Sequence, residues 1–126
     1  MPVIDATGMG SSVKIWTNNV EGGTVTVDGF EIKGAGIFAR QGTSSVTRTG
    51  IEITNNYIHN AETGFNVWGF GGFSEYGNTV ADISVEGNEF SDLGTEGTTS
   101  GTGVLLEELA NDSTASGFAA TVKDNT

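Results

Sequence analysis

Apolar residues two apart recur along the chain in a pattern that begins again several times. Val25-Thr-Val27, Ile51-Glu-Ile53 and Ile83-Ser-Val85 alternate apolar with polar positions. That is the period of a strand with one buried face. A turn follows each, then a second short run with one apolar position: Ile32, Ile58 or Phe90. Segments 25–35, 51–61 and 83–93 align without a gap as apolar-x-apolar-x-x-Asn-x-apolar-x-x-small, with Phe30 in the Asn place of the first. A fourth copy starts at Ala120 and reaches Asn125.

A third alternating run completes each unit: Gly36–Arg40, Gly64–Trp68 and Gly103–Glu107. Two-residue reversals such as Asn-Gly, the signal of hairpins, do not separate these runs. Three short strands per unit joined by bends predict an all-β fold in which each unit is one coil of a parallel solenoid. The expected organisation is a single segment over residues 1–126, about three to four coils, starting near Val3, Val25, Ile51, Ile83 and Ala120. The last coil stops after its Asn, so the reading expects a truncated C-terminal coil, a fragment of a longer chain, and open ends prone to edge-to-edge self-association.

The repeat brings Asn56, Asn88 and Asn125 to one corner. Rungs of a parallel stack lie ~4.8 Å apart, so equivalent amides can bond up the stack, a structural ladder that serves the polar backbone of a bend.

The units Ile-Thr-Asn-Asn-Tyr-Ile-His-Asn-Ala-x-x-Gly-Phe (53–65) and Val-Asp-Gly-Phe-Glu-Ile (27–32) resemble the repeats of right-handed parallel β-helices of the pectate-lyase-like superfold, the carbohydrate-binding and sugar-hydrolysis type. The resemblance spans about Val3 to Thr126. It implies a single-stranded right-handed parallel β-helix in a secreted or cell-surface protein that meets polysaccharide. It does not choose among lyases, hydrolases, epimerases, tailspikes and adhesins.

Composition narrows the partners. Five Lys+Arg against sixteen Asp+Glu give a net charge of -11, the wrong sign for nucleic acid or an anionic membrane surface. With no cysteine, neither disulfides nor thiolate metal sites are available. No apolar run approaches the length of a membrane span.

Length variation between units flanks the third strand, at Gln41–Gly50, Gly69–Asp82, Gly94–Thr102 and Glu108–Ala119, which is where function tends to gather on a rigid scaffold. If Ile37, Ala39, Phe65, Val67, Val104 and Leu106 point inward, alternation sends Phe38, Asn66 and Leu105 outward in one row. Arg40, Trp68 and Glu107 form the next row. Val13-Lys-Ile-Trp16 is expected to supply the rung below, with Lys14 joining the first row and Trp16 the second. Trp16, Arg40, Trp68 and Glu107, with Phe38 and Asn66 beside them, are the candidate ligand-binding residues. Indoles offer a broad apolar face to sugar C–H groups, and Arg40 suits a uronate carboxylate. The bland alternative is an arginine between two tryptophans in cation–π contact, or aromatics packed under loops.

Catalytic residues are not assigned. A hydrolase needs two carboxyls at set separation, and only Glu107 faces the row; Glu62, Glu75, Asp82 and Glu96 are loop acids without a fixed place. The paired-Asp and Gly-His-Gly motifs of polygalacturonases, the Asp-Pro-His motif of alginate epimerases and the pectate-lyase Arg-x-Pro-x-x-Arg motif are absent, Pro2 being the single proline. For a lyase or epimerase the available groups are Arg40, Lys33, His59 and Tyr57, but His59 alternates outward on a different face and reads as a surface residue. No metal site or cofactor is expected; the loop Glu107-Glu-Leu-Ala-Asn-Asp112 is the one place with oxygens to offer Ca²⁺. The preferred function is polysaccharide contact on the third-strand face. The alternatives are part of a uronan lyase or epimerase, or an architectural spacer of an adhesin or fibre.

Overall fold

A computed structural model of the chain describes residues 1–9, 14–16, 24–40, 50–68, 83–94, 101–107 and 120–126. For residues 14–16, 40, 50, 67, 68 and 107 the backbone alone is described.

Every regular element among the described residues is a strand: β1 Val3–Asp5, β2 Lys14–Trp16, β3 Thr24–Asp28, β4 Glu31–Lys33, β5 Gly36–Arg40, β6 Gly50–Thr54, β7 Tyr57–His59, β8 Thr63–Trp68, β9 Ile83–Glu86, β10 Glu89–Ser91, β11 Thr102–Glu107 and β12 Ala120–Lys123. They form three four-stranded sheets, β1-β4-β7-β10, β2-β5-β8-β11 and β3-β6-β9-β12. All the pairings described are parallel. The chain thus visits the three sheets in the same order four times, and each strand bonds to its equivalent one unit away. This all-parallel arrangement is compatible with a β-helix.

Apolar alternation fixes which side of each strand is dry. Ile32, Ile51, Ile53, Ile58, Ala39, Phe65 and Val85 are fully buried in one cluster that draws on all three sheets. Burying an aliphatic or aromatic side chain of this size contributes ~1.5–3 kcal/mol. Vertical stacking is like on like: Ile32 pairs with Ile58, Ile51 with Ile83, and Ile53 with Val85.

The corner between the β3-β6-β9-β12 sheet and the β1-β4-β7-β10 sheet repeats one backbone conformation. Gly29, Asn55, Gly87 and Asp124 have φ of 74°, 54°, 65° and 55°, the left-handed region that Gly, Asn and Asp tolerate best. The next residue of each later unit is Asn56, Asn88 or Asn125, and these amides form a ladder. The Asn56 N–H and Nδ2 both donate to Asn88 Oδ1 at 3.0 Å. Asn88 repeats the motif onto Asn125 Oδ1 at 3.0 and 2.9 Å. The Nδ2 groups also reach back to carbonyls: Asn56 to Val27 (2.9 Å), Asn88 to Ile53 (2.8 Å) and Asn125 to Val85 (2.8 Å). Phe30, which has no amide side chain, enters through its backbone N–H, donated to Asn56 Oδ1 at 3.0 Å.

Candidate functional site

The third-strand sheet was expected to carry the ligand face, and its register is explicit. Ile37 pairs with Phe65, Phe38 with Asn66, Ala39 with Val67 and Arg40 with Trp68. On the next strand Val104 pairs with Phe65, Leu105 with Asn66 and Glu107 with Trp68. Arg40, Trp68 and Glu107 therefore occupy one level of three adjacent strands. Their side chains lie outside the described residues, as do the loop acids Glu75, Asp82 and Glu96 and the stretch 108–112 of the calcium candidate.

The rung below is displaced from expectation. Lys14 pairs with Gly36, Ile15 with Ile37 and Trp16 with Phe38. Trp16 thus belongs to the level of Phe38 and Asn66 rather than that of Arg40 and Trp68. A slip of two residues keeps every side chain on its own face, so alternation alone could not detect it; the pairing of Ile15 with Ile37 sets the register.

A second correction concerns Phe38 and Asn66. Both have the parity opposite to the core residues Ile37, Ala39 and Phe65, yet they are only 7% and 8% exposed. Phe38 is buried without belonging to the central apolar cluster. The outward row is covered at this level, so neither side chain stands open to solvent, and both are already engaged within the protein. Leu105, on the next strand, is half-buried.

The β1-β4-β7-β10 sheet carries a cluster that the sequence reading passed over. His59, expected at the surface, is 8% exposed. Its ring stacks on Tyr57 with centroids 4.4 Å apart and planes 13° from parallel. Nε2 lies 3.2 Å from Glu31 Oε1, and Nδ1 lies 2.8 Å from Asn60 Nδ2. The Tyr57 hydroxyl meets Ser91 Oγ at 3.1 Å. Lys33 is the cross-strand neighbour of His59 on β4 and reaches Asp5 at 4.0 Å. The signal for this cluster was a Tyr-x-His spacing on one strand face, which puts two rings on the same side.

The outer face of the β3-β6-β9-β12 sheet satisfies itself. Thr26 Oγ1 donates to Glu52 Oε2 (3.0 Å), Thr54 Oγ1 and Asn55 Nδ2 donate to Asp28 Oδ1 (2.7 and 2.8 Å), and Ser84 Oγ donates to Glu86 Oε1 (2.8 Å). Lys123 Nζ lies 3.0 Å from Glu86 Oε2. These bonds hold the carboxyls of Asp28 and Glu86 below the usual carboxylate range: Thr54 then Asn55 act on Asp28, and Ser84 then Lys123 on Glu86. A shallow cleft of about 250 Å³ at the corner is lined by Thr54, Asn55, Glu86, Gly87, Lys123 and Asp124. Its lysine and Asn55 amide are already bonded to Glu86 and Asp28.

Among the described residues no group of three or more His, Asp or Glu side chains is placed to hold a metal ion. The described residues define an all-β arrangement of three parallel sheets, with the Tyr57–His59 cluster and the Asp28 and Glu86 hydrogen bonds on their outer faces. No family model, curated protein or solved structure matches the chain.

Proposed function

We propose that the chain is a right-handed parallel β-helix of the pectate-lyase-like kind, a segment of a secreted or surface protein that contacts polysaccharide on the outer face of the β2-β5-β8-β11 sheet. The observation that carries this reading is the shared level of Arg40, Trp68 and Glu107. A tryptophan position flanked on the adjacent strands by an arginine and a glutamate position, with ~4.8 Å between strands, brings to one level the residue types that suit a sugar ring and its rim. The contact set is narrower than the sequence suggests. Trp16 sits one level back, beside Phe38, and the Phe38–Asn66 level is covered.

Titrating tryptophan fluorescence with oligouronates and with neutral oligosaccharides tests the proposal. Saturable binding is expected, kept in Trp16→Phe and weakened about fivefold to tenfold in Trp68→Ala. Arg40→Gln should weaken uronate binding more than neutral binding. An absence of saturable binding to any of these sugars would overturn the proposal. That result would favour an architectural spacer, a reading supported by the burial of Phe38 and Asn66 and by the internally paired carboxylates of the β3-β6-β9-β12 face.

A further inference from the structure

We infer that His59 and Asn60 form a proton-operated latch at the corner between β7 and β8. His59 is the sole histidine of the chain, and each of its ring nitrogens has a partner whose chemistry is one-sided. The Glu31 carboxylate, 3.2 Å from Nε2, can only accept when ionised. The Asn60 amide nitrogen, 2.8 Å from Nδ1, can only donate. Both demands are met by the same species, a neutral imidazole with its proton on Nε2. Two independent contacts thus select one tautomer.

A proton added in acid must go to Nδ1, the only ring nitrogen with a lone pair in that tautomer. Nδ1–H and the Asn60 NH₂ then face each other as donor and donor. The hydrogen bond is lost unless the amide turns over to present Oδ1 or the side chain swings away. Asn60 is exposed and its backbone is left-handed, with φ 54°, so its side chain has room to do either. The imidazolium itself stays placed, stacked on Tyr57 and hydrogen-bonded to Glu31. Among the described residues the other charged groups around it are Lys33 beside it on β4, Asp5 beyond Lys33 on β1, Glu89 on β10, and Asp92 just after Ser91, its neighbour on that strand. What moves is therefore the Asn60 end of the contact, at the corner from which β8 sets out toward Asn66 and Trp68. The latch does not rest on the polysaccharide reading.

Nitrogen-15 NMR of the single imidazole and of the Asn60 side chain tests this directly in the intact chain. The neutral ring is expected as the Nε2–H tautomer. As acid protonates Nδ1, the Asn60 amide signals should move in step, and their hydrogen exchange, taken relative to the intrinsic amide rate at the same pH, should quicken about threefold to tenfold, the loss of one net hydrogen bond. Asn60→Gly, which suits the left-handed backbone, should relax the tautomer preference. Asn60→Asp puts an acceptor where the donor stood, opposite Glu31, and should draw a proton onto Nδ1 while Nε2–H stays on Glu31. An Nδ1–H tautomer in the unaltered protein, Asn60 signals indifferent to the imidazole, or a ring in Asn60→Asp that gains no proton on Nδ1 would each overturn the latch.

Discussion

The two corners described on either side of the β1-β4-β7-β10 sheet solve the same problem by different means. At both, the chain bends through left-handed residues: Gly29, Asn55, Gly87 and Asp124 at one, Gly34, Asn60 and Asp92 at the other. The first corner is stitched by side chains, with Asn56 and Asn88 2% and 1% exposed and their amides bonded up and down the stack. Both corners share backbone bonds between rungs, Gly29 N–H to the Thr54 carbonyl (3.1 Å) and Asn55 to Glu86 (3.1 Å) at the first, Gly34 to His59 (3.0 Å) and Asn60 to Ser91 (3.3 Å) at the second; among the described residues only the first adds a side-chain ladder. The buried residue that follows each bend accounts for the difference: it is Asn56 or Asn88 at the first corner and Ala35 or Ala61, 1% and 0% exposed, at the second. A buried polar bend must find partners for every group and so demands one residue type rung after rung. An alanine at that place has no polar side-chain group to satisfy, so the second corner makes no such demand.

The largest effect separating the corners should come from the middle of the ladder. Asn88→Ala removes the acceptor of two Asn56 donors and the donor to the Ile53 carbonyl. With buried groups left unpaired, a loss of about 3 kcal/mol is expected in denaturant titration. A loss below about 1 kcal/mol would mean that the ladder is ornamental. Gly34→Ala probes the other corner through the backbone. The residue has φ 75°, and an added Cβ would stand 3.0 Å from the Ala6 carbonyl carbon and the Thr7 nitrogen. About 1–2 kcal/mol should be lost. Asn60→Ala, exposed and outside any ladder, should cost about 1 kcal/mol, the penalty for a left-handed alanine.

The smallest effect concerns pH. Asp28 and Glu86, beside the first corner, have their carboxyls held below the ordinary range when folded. The stability they contribute is present above the unfolded carboxylate value and is lost as pH falls through the lowered folded values. Asp28 is exposed and Glu86 half-buried, so solvent screens both and the acid-side decline in melting temperature should be shallow, and Asp28→Asn should flatten it further. An unchanged slope in Asp28→Asn would show that its bonds with Thr54 and Asn55 do not distinguish the folded state.

The two corners also differ in how far they announce themselves in the sequence. The first repeats a residue type and is visible in Asn56, Asn88 and Asn125. The second repeats its conformation at Gly34, Asn60 and Asp92 and follows it with the apolar Ala35, Ala61 and Leu93, a weaker signal than a repeated amide. The candidate face divides in the same way. Strand positions such as Gly36–Arg40 follow from alternation and agree with β5 as folded. The burial of Phe38 and Asn66, the level of Trp16 and the meeting of His59 with Glu31 do not, because alternation gives a side chain's face and neither its level nor what packs over it.

What the sequence settled by itself was parity: which side chains of each strand face the core, since covalent geometry alternates them with a period of two and the apolar residues mark the dry side. Level and cover were left to the tertiary structure. Sliding a strand by two residues costs alternation nothing, so only the hydrogen-bonded pairing of Ile15 with Ile37 could seat Trp16 beside Phe38. An outward side chain is equally outward whether solvent or protein lies above it, and that too is decided by how the chain packs in three dimensions.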